Sequence, residues 1–90
     1  MTFLFFMKYY VYILYSEKFQ KIYIGYTSDL KARFESHNIF SKKGWTIKFR
    51  PWTIIHQEEY DSKSDAMRRE RELKSAKGRE FIYTNLLKRN

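Results

Sequence analysis

The stretch YVYILYSEKFQKIYIGYTSDLKARFESHN, residues 10–38, decides how the chain folds. Residues 8–15 are rich in β-branched and aromatic types and read as a strand. Residues 22–27 read as a second strand, and the polar SEKFQ between them as the turn of a hairpin. Side chains alternate along a strand, so Val11 and Ile13 share one face and Tyr10, Tyr12 and Leu14 the other. The second strand splits the same way, into Ile22 and Ile24 against Tyr23 and Gly25. If the aliphatic pairs share a face, Tyr12 and Tyr23 share the opposite one.

A helix follows. Thr27 or Ser28 is a good N-cap, Asp29 suits the first turn, and the helix is expected to reach about His37. Leu30, Phe34 and His37 recur at i, i+4 and i+7, with Arg33 beside them. Arg33 and His37 are therefore expected on or next to the buried face.

Further out, residues 39–51 form a basic loop with interleaved aromatics, and residues 52–60 read as a third strand. Ser62 opens a capping-box pattern before a helix over about 63–77, with Gly78 suited to its C-terminal stop. A short last helix over 79–88 carries Phe81, Ile82, Leu86 and Leu87 toward the core. The order β-β-α-β-α-α, opened by a hairpin, predicts an α+β fold with a small antiparallel sheet.

Ninety residues argue for one domain, placed at 8–90, with a core of limited size. Residues 1–7, MTFLFFM, are too short for a signal peptide or a membrane helix. Either they begin the first strand or they precede the domain, with Met7 as the start. The absence of cysteine excludes disulfides and thiolate metal sites, and fits a reducing compartment such as the cytoplasm. A net charge of +8 favours polyanionic partners, nucleic acid first.

Several residues sit awkwardly in an ordinary core. Tyr12 and Tyr23 are either an aromatic pair or a pair of usable hydroxyls. Gly25, inside a strand, marks a bulge or a close approach. Arg33 and His37, four apart, share one helix face. Arginine suits phosphate and histidine moves protons near neutral pH, while the plainer reading is a solvated helix edge with Arg33 paired to a carboxylate. Ala66, Glu70, Leu73 and Lys77 follow one helical stripe, so Glu70 must be partnered: by Arg33, by Lys74 or by a metal. Two hydroxyls, a phosphate clamp, a histidine and a hard oxygen ligand make a phosphodiesterase set.

From about residue 8 to residue 82 the chain resembles the GIY-YIG nucleases. The second signature is intact as Tyr23-Ile24-Gly25, and the first stands as Tyr10-Val11-Tyr12. The steps of eleven residues from Tyr12 to Tyr23, ten to Arg33 and four to His37 suit the family, as does Ala66 with Glu70. Two positions depart: Tyr10 replaces the first glycine, and Ile82 stands where an asparagine is frequent, with Asn85 nearby.

The resemblance implies a three-stranded antiparallel sheet flanked by helices. It also implies endonuclease hydrolysis of DNA phosphodiesters, in repair or recombination, with one Mg²⁺ or Mn²⁺ per site. Glu70 would hold the metal, Arg33 the phosphate and Tyr23 water or phosphate. Tyr12 would accept the proton of the attacking water and His37 could relay it, with Arg33 and the metal favouring phenolate. Which tyrosine is the base stays open.

Lys42, Lys43, Lys48, Arg50, Arg68, Arg69, Arg71, Lys74, Lys77 and Arg79 are the expected phosphate contacts. Trp45, Phe49 and Trp52 either pack the loop, the preferred reading, or stack on unpaired bases. A homodimer or a partner protein would let so small a domain cut both strands. One rival is a catalytically inactive nucleic-acid-binding module, and another is an interaction protein that is merely basic.

Overall fold

The computed structural model describes residues 7–89. The expectation for residues 1–6 lies outside the described residues. Strand β1 (Tyr9–Ser16) pairs antiparallel with β2 (Lys21–Thr27) and with β3 (Thr53–Tyr60), giving the order β2-β1-β3. The expected α+β fold with a three-stranded antiparallel sheet is present. The central strand is the most apolar, as burial on two faces requires, with Val11, Tyr12, Ile13 and Leu14 all fully enclosed.

Ile13 lies opposite Ile24 and Tyr12 opposite Gly25, so the hairpin has the expected register. Gly25 sits in regular pairing and is no bulge; the irregularity falls on β3, where partners shift between Ile13 and Leu14. Each face of the sheet has its own core. Val11, Ile13 and Ile24 pack with Ala66, Leu73 and Ile82 on one side. Tyr12, Leu14 and Trp52 pack with Tyr23, Leu30, Phe34 and Phe49 on the other.

Helix α1 (Leu30–Glu35) is shorter than its periodicity suggests. Its cap is Asp29, which accepts from the Ala32 amide at 3.1 Å, while the Thr27 hydroxyl accepts from the Asp29 amide at 3.0 Å. The two side chains divide the turn between them, so neither Thr27 nor Ser28 is the cap. After Glu35 the chain widens into a π-helical turn, Ser36–Phe40, which swings His37 inward. His37 is buried, although none of the residues of α1 is. Arg33 is exposed, so of the two expected placements, on or next to the buried face, the first is excluded.

The expected basic loop is largely ordered by local structure. Gly44, at φ 110°, admits the chain to a 3₁₀ helix over Trp45–Phe49, a backbone angle that L side chains resist. Arg50 donates from Nε to the His37 carbonyl at 2.7 Å and from Nη2 to the carbonyls of Ser36 (3.1 Å) and Ser41 (2.8 Å). Trp52 lies just before β3, buried, with its indole N–H on the Thr46 carbonyl at 2.8 Å and its amide on Asn38 Oδ1 at 2.7 Å.

Beyond β3, Ser62 caps α2 (Lys63–Lys74) by accepting from the Asp65 amide. The helix stops at Ser75, which also caps α3 (Ala76–Phe81) by accepting from the Gly78 amide at 3.2 Å. Gly78 is therefore not the stop signal. It is buried inside α3, where a Cβ would collide with the carbonyls of Glu72 and Leu73. A second π turn, Ile82–Leu86, completes the chain's helical end.

Candidate active site

β2 is an edge strand, and the site straddles it. α1 reaches the edge from one face of the sheet and α2 from the other. Tyr23, Gly25, Ser28, Arg33, Lys63 and Glu70 line a cavity of about 360 Å³ between them. Tyr12 stands just behind. It is fully enclosed, and its hydroxyl lies 2.9 Å from His37 Nε2. His37 Nδ1 in turn lies 3.0 Å from Thr46 Oγ1. The rings of Tyr12, Tyr23 and His37 form a triangle with centroids 6.2, 5.9 and 4.6 Å apart.

Gly25, which lines the cavity, leaves room for the Tyr12 phenol behind it. A Cβ there would sit 2.6 Å from the Tyr12 hydroxyl oxygen and 3.1 Å from Tyr23 Cε1. The missing side chain leaves room for the phenol against the backbone of an edge strand that itself lines the cavity.

Burial raises the Tyr12 phenol well above its ordinary range; Tyr23 adds to this and Arg33 offsets part of it. Arg33 thus acts in the expected direction, but desolvation outweighs it and the resting group is a neutral phenol. Burial first, then the charges of Arg33 and Arg50, lower His37 below its ordinary value, so the imidazole is neutral at pH 7. A neutral phenol hydrogen-bonded to a neutral imidazole can pass a proton along that bond without separating charge beforehand.

Glu70 has 18% of its side chain exposed, and Lys74 Nζ lies 3.3 Å from it, one helical turn on. Of the two ion pairs expected for Glu70, the one formed is with Lys74. Among the described residues no group of three or more histidines or acidic residues gathers as a metal cage. One carboxylate facing a polar cavity nonetheless fits Mg²⁺, which keeps several waters and takes other ligands from substrate phosphate.

The expected phosphate contacts divide into two groups. Lys42, Lys43, Lys48, Arg68, Arg71, Lys74, Lys77 and Arg79 are exposed. Lys74 and Arg79 line a second hollow of about 220 Å³ with Ile22, Tyr23 and Ile24, beside the site. Arg68 is tied to Asp65 at 2.7 Å. Arg50 and Arg69 do not join the exposed group. Arg50 clamps three carbonyls, and Arg69 grips Glu58 through two nitrogens at 2.8 and 3.1 Å as well as Glu72 at 3.2 Å. Their donors are engaged by the fold in place of a ligand.

Trp45 packs at a tilt against Phe49 and Trp52, with centroids 4.6 and 6.0 Å away. Ile82 is buried in the core, and Asn85 is exposed and lies outside the residues lining the cavity. Two residues escaped the sequence reading. Lys63 shares the cavity with Glu70, and their spacing of seven on one helix was the available signal. Thr46 carried none, because its contact with His37 depends on a loop closing nine residues later.

The chain is similar to several known proteins. A family model described as the GIY-YIG catalytic domain matches residues 8–84. A UPF0213 protein of Staphylococcus haemolyticus is 43% identical over 68 residues, covering 76% of this chain and 82% of that protein. A UPF0213 protein of Staphylococcus aureus is 41% identical over 54 residues; the match covers 60% of this chain and 66% of that relative, just under two thirds of its length. The solution NMR structure of a UPF0213 protein from Bacillus halodurans superimposes with a TM-score of 0.52 at 30% identity, over 87% of this chain and 84% of that one.

Proposed function

The chain belongs to the GIY-YIG family, and on that premise we propose that it is a metal-dependent endonuclease that hydrolyses DNA phosphodiester bonds. The observation that carries this reading is the Tyr12–His37 hydrogen bond set behind Gly25, at a cavity that also holds Tyr23, Arg33 and Glu70. Ordinary packing has no need for a phenol–imidazole couple beside a carboxylate and a guanidinium.

The chain's residues divide the work. Arg33, exposed at the cavity, binds the scissile phosphate and stabilises charge as it develops on its oxygens. Tyr23 orients the attacking water. Tyr12 takes a proton from that water as it gives its own to His37 Nε2, leaving His37 as the imidazolium. The water oxygen bonds to phosphorus, the ester P–O bond breaks, and the leaving oxygen takes a proton from solvent. GIY-YIG nucleases in general depend on a divalent metal, and Glu70 is the residue that would hold Mg²⁺ or Mn²⁺ here. That ion would supply Lewis-acid stabilisation of the phosphate and leaving group.

Exposed cations, Lys42, Lys43, Lys48, Arg71, Lys74, Lys77 and Arg79 among them, would grip the DNA backbone with little regard for sequence. A cytoplasmic place in repair or recombination suits such a substrate. Cutting both strands would call for a homodimer or a partner protein. Among the described residues no helix is long and apolar enough to cross a membrane.

The test is cleavage of labelled single-stranded, duplex and branched DNA with Mg²⁺ or Mn²⁺, comparing wild type with Glu70→Ala and Tyr12→Phe. Wild-type cleavage lost in both variants supports the proposal. Equal DNA binding by all three proteins, with no cleavage by any, replaces it with a binding module.

A further inference from the structure

We infer that Thr46 is a positioning residue that fixes the tautomer of His37, and through it the direction in which Tyr12 passes its proton. The inference rests on the proposed reaction for its consequence, but not for its structural content.

A neutral imidazole carries one N–H and one lone pair, and the partner of one nitrogen decides which the other presents. Here Nε2 faces the Tyr12 hydroxyl at 2.9 Å and Nδ1 faces Thr46 Oγ1 at 3.0 Å. Two arrangements satisfy these distances. In the first, Nδ1–H donates to Thr46 and Nε2 accepts from Tyr12. In the second, Thr46 donates to Nδ1 and Nε2–H donates to Tyr12.

The second arrangement strands the phenol proton. His37 would then donate to the phenol oxygen, and the phenol proton, fully enclosed, would have no hydrogen-bond acceptor among the described residues. In the first arrangement the unshared proton is that of Thr46, which is 6% exposed and whose hydroxyl rotates freely. The geometry therefore places the lone pair on Nε2, facing Tyr12, where it can receive a proton.

The surroundings hold this bond from both ends. Arg50 Nε donates to the carbonyl of His37 itself, and the Trp52 indole donates to the carbonyl of Thr46 itself. Gly44 supplies the turn that brings Thr46 back over the histidine. The stretch that reads as a basic loop in the sequence is, around its buried residues, a clamp on the orientation of one imidazole.

The experiment is long-range ¹H–¹⁵N NMR of His37 in wild type, Thr46→Val and Thr46→Ser, joined to cleavage kinetics of the same proteins. Wild type is expected to carry its proton on Nδ1. Thr46→Val, which keeps the shape and removes the hydroxyl, should move the proton to Nε2. It should also lower kcat about 10–100-fold with KM unchanged, as loss of a partner that orients a functional histidine does. Thr46→Ser should restore both.

A wild-type proton on Nε2 overturns the inference, and that spectrum decides the matter even if Thr46→Val fails to fold. A Thr46→Val protein with the wild-type tautomer overturns it equally. Because the tautomer is read without DNA, absence of cleavage in every protein sinks the nuclease proposal alone. Normal cleavage with an unmoved tautomer sinks the role of Thr46 alone.

Discussion

On one side of the sheet, Val11, Ile13 and Ile24 meet Ala66, Leu73 and Ile82, an aliphatic centre with Tyr9, Tyr26, Tyr60 and Phe81 packed around it. On the other, Tyr12, Leu14 and Trp52 share their layer with His37 and Thr46. Ser16 and Thr27, also polar and buried, fall on strand positions that point to this same second side. Burial acts in opposite senses on the two faces. Behind α2 it removes apolar surface from water and stabilises the fold. Behind α1 it raises Tyr12, lowers His37 and holds both neutral, which leaves the phenol with its proton and the imidazole with a lone pair. The edge strand β2 is where the two meet, since Glu70 arrives from the stable side and Arg33 from the reactive one.

Breaking the reactive face should cost activity and little stability. Tyr12→Phe removes one oxygen from a packed ring, so the expected loss in cleavage rate is about 10³-fold with the melting temperature nearly unchanged. Equal losses in melting temperature and rate would mean that the hydroxyl serves packing. Gly25→Ala comes next. Its Cβ would press the Tyr12 hydroxyl from 2.6 Å, pushing the phenol off His37, and about 10²-fold of the rate should go with it. A variant as fast as wild type would show that the phenol can yield without consequence.

The stable face should respond the other way. Leu73→Ala opens a cavity under α2 and is expected to cost about 2–5 kcal/mol in chemical denaturation. Below its melting temperature, kcat should stay within a factor of about three of wild type. A large loss of kcat would mean that α2 positions Glu70 more delicately than its packing suggests.

A fourth test concerns acid. Burial alone would raise Glu58, but hydrogen bonds from Arg69, Tyr60 and His56 outweigh it and hold the carboxyl down at about 2. A depressed carboxyl contributes stability above its unfolded value of 4.5, and loses it as pH falls from there through about 2. Urea unfolding should therefore show Glu58→Gln about 2 kcal/mol weaker near neutral pH, with the gap closing toward about pH 2. A gap that persists in acid would assign the loss to packing instead of charge.

The smallest effect is expected at the surface. Lys42→Ala with Lys43→Ala, two exposed cations, should lower the salt slope of DNA binding by about two and leave kcat at saturating substrate alone.

The hairpin, its register and its division into an aliphatic and a tyrosine face were legible because alternation in a strand is strict and Ile22 and Ile24 had only one sensible partner side. Tyr12, Tyr23, Arg33 and Glu70 stood out because each is costly or unusual at its position. The helix ends were less legible. The Leu30–Phe34–His37 spacing extrapolates a regular helix, whereas the chain widens into a π turn at Ser36. Gly78 resembled a stop, but Ser75 caps the next helix and so makes the break. Arg50 and Arg69 looked like free cations because composition counts charges and not the carbonyls and carboxylates that engage them.

By itself, then, the sequence determined which side chains each strand presents to which face, because that depends only on backbone period and hydrophobicity. It also determined that a basic, cysteine-free chain carries Tyr, Tyr, Arg, His and Glu in a fixed order. Tertiary structure alone decided that Arg33 and Glu70, on different helices, face one cavity, and that Thr46 reaches His37. Those contacts depend on how loops close and helices dock in three dimensions. The Thr46–His37 contact is held by the Trp52 indole on Thr46 and the fork of Arg50 on His37, and no local pattern encodes it.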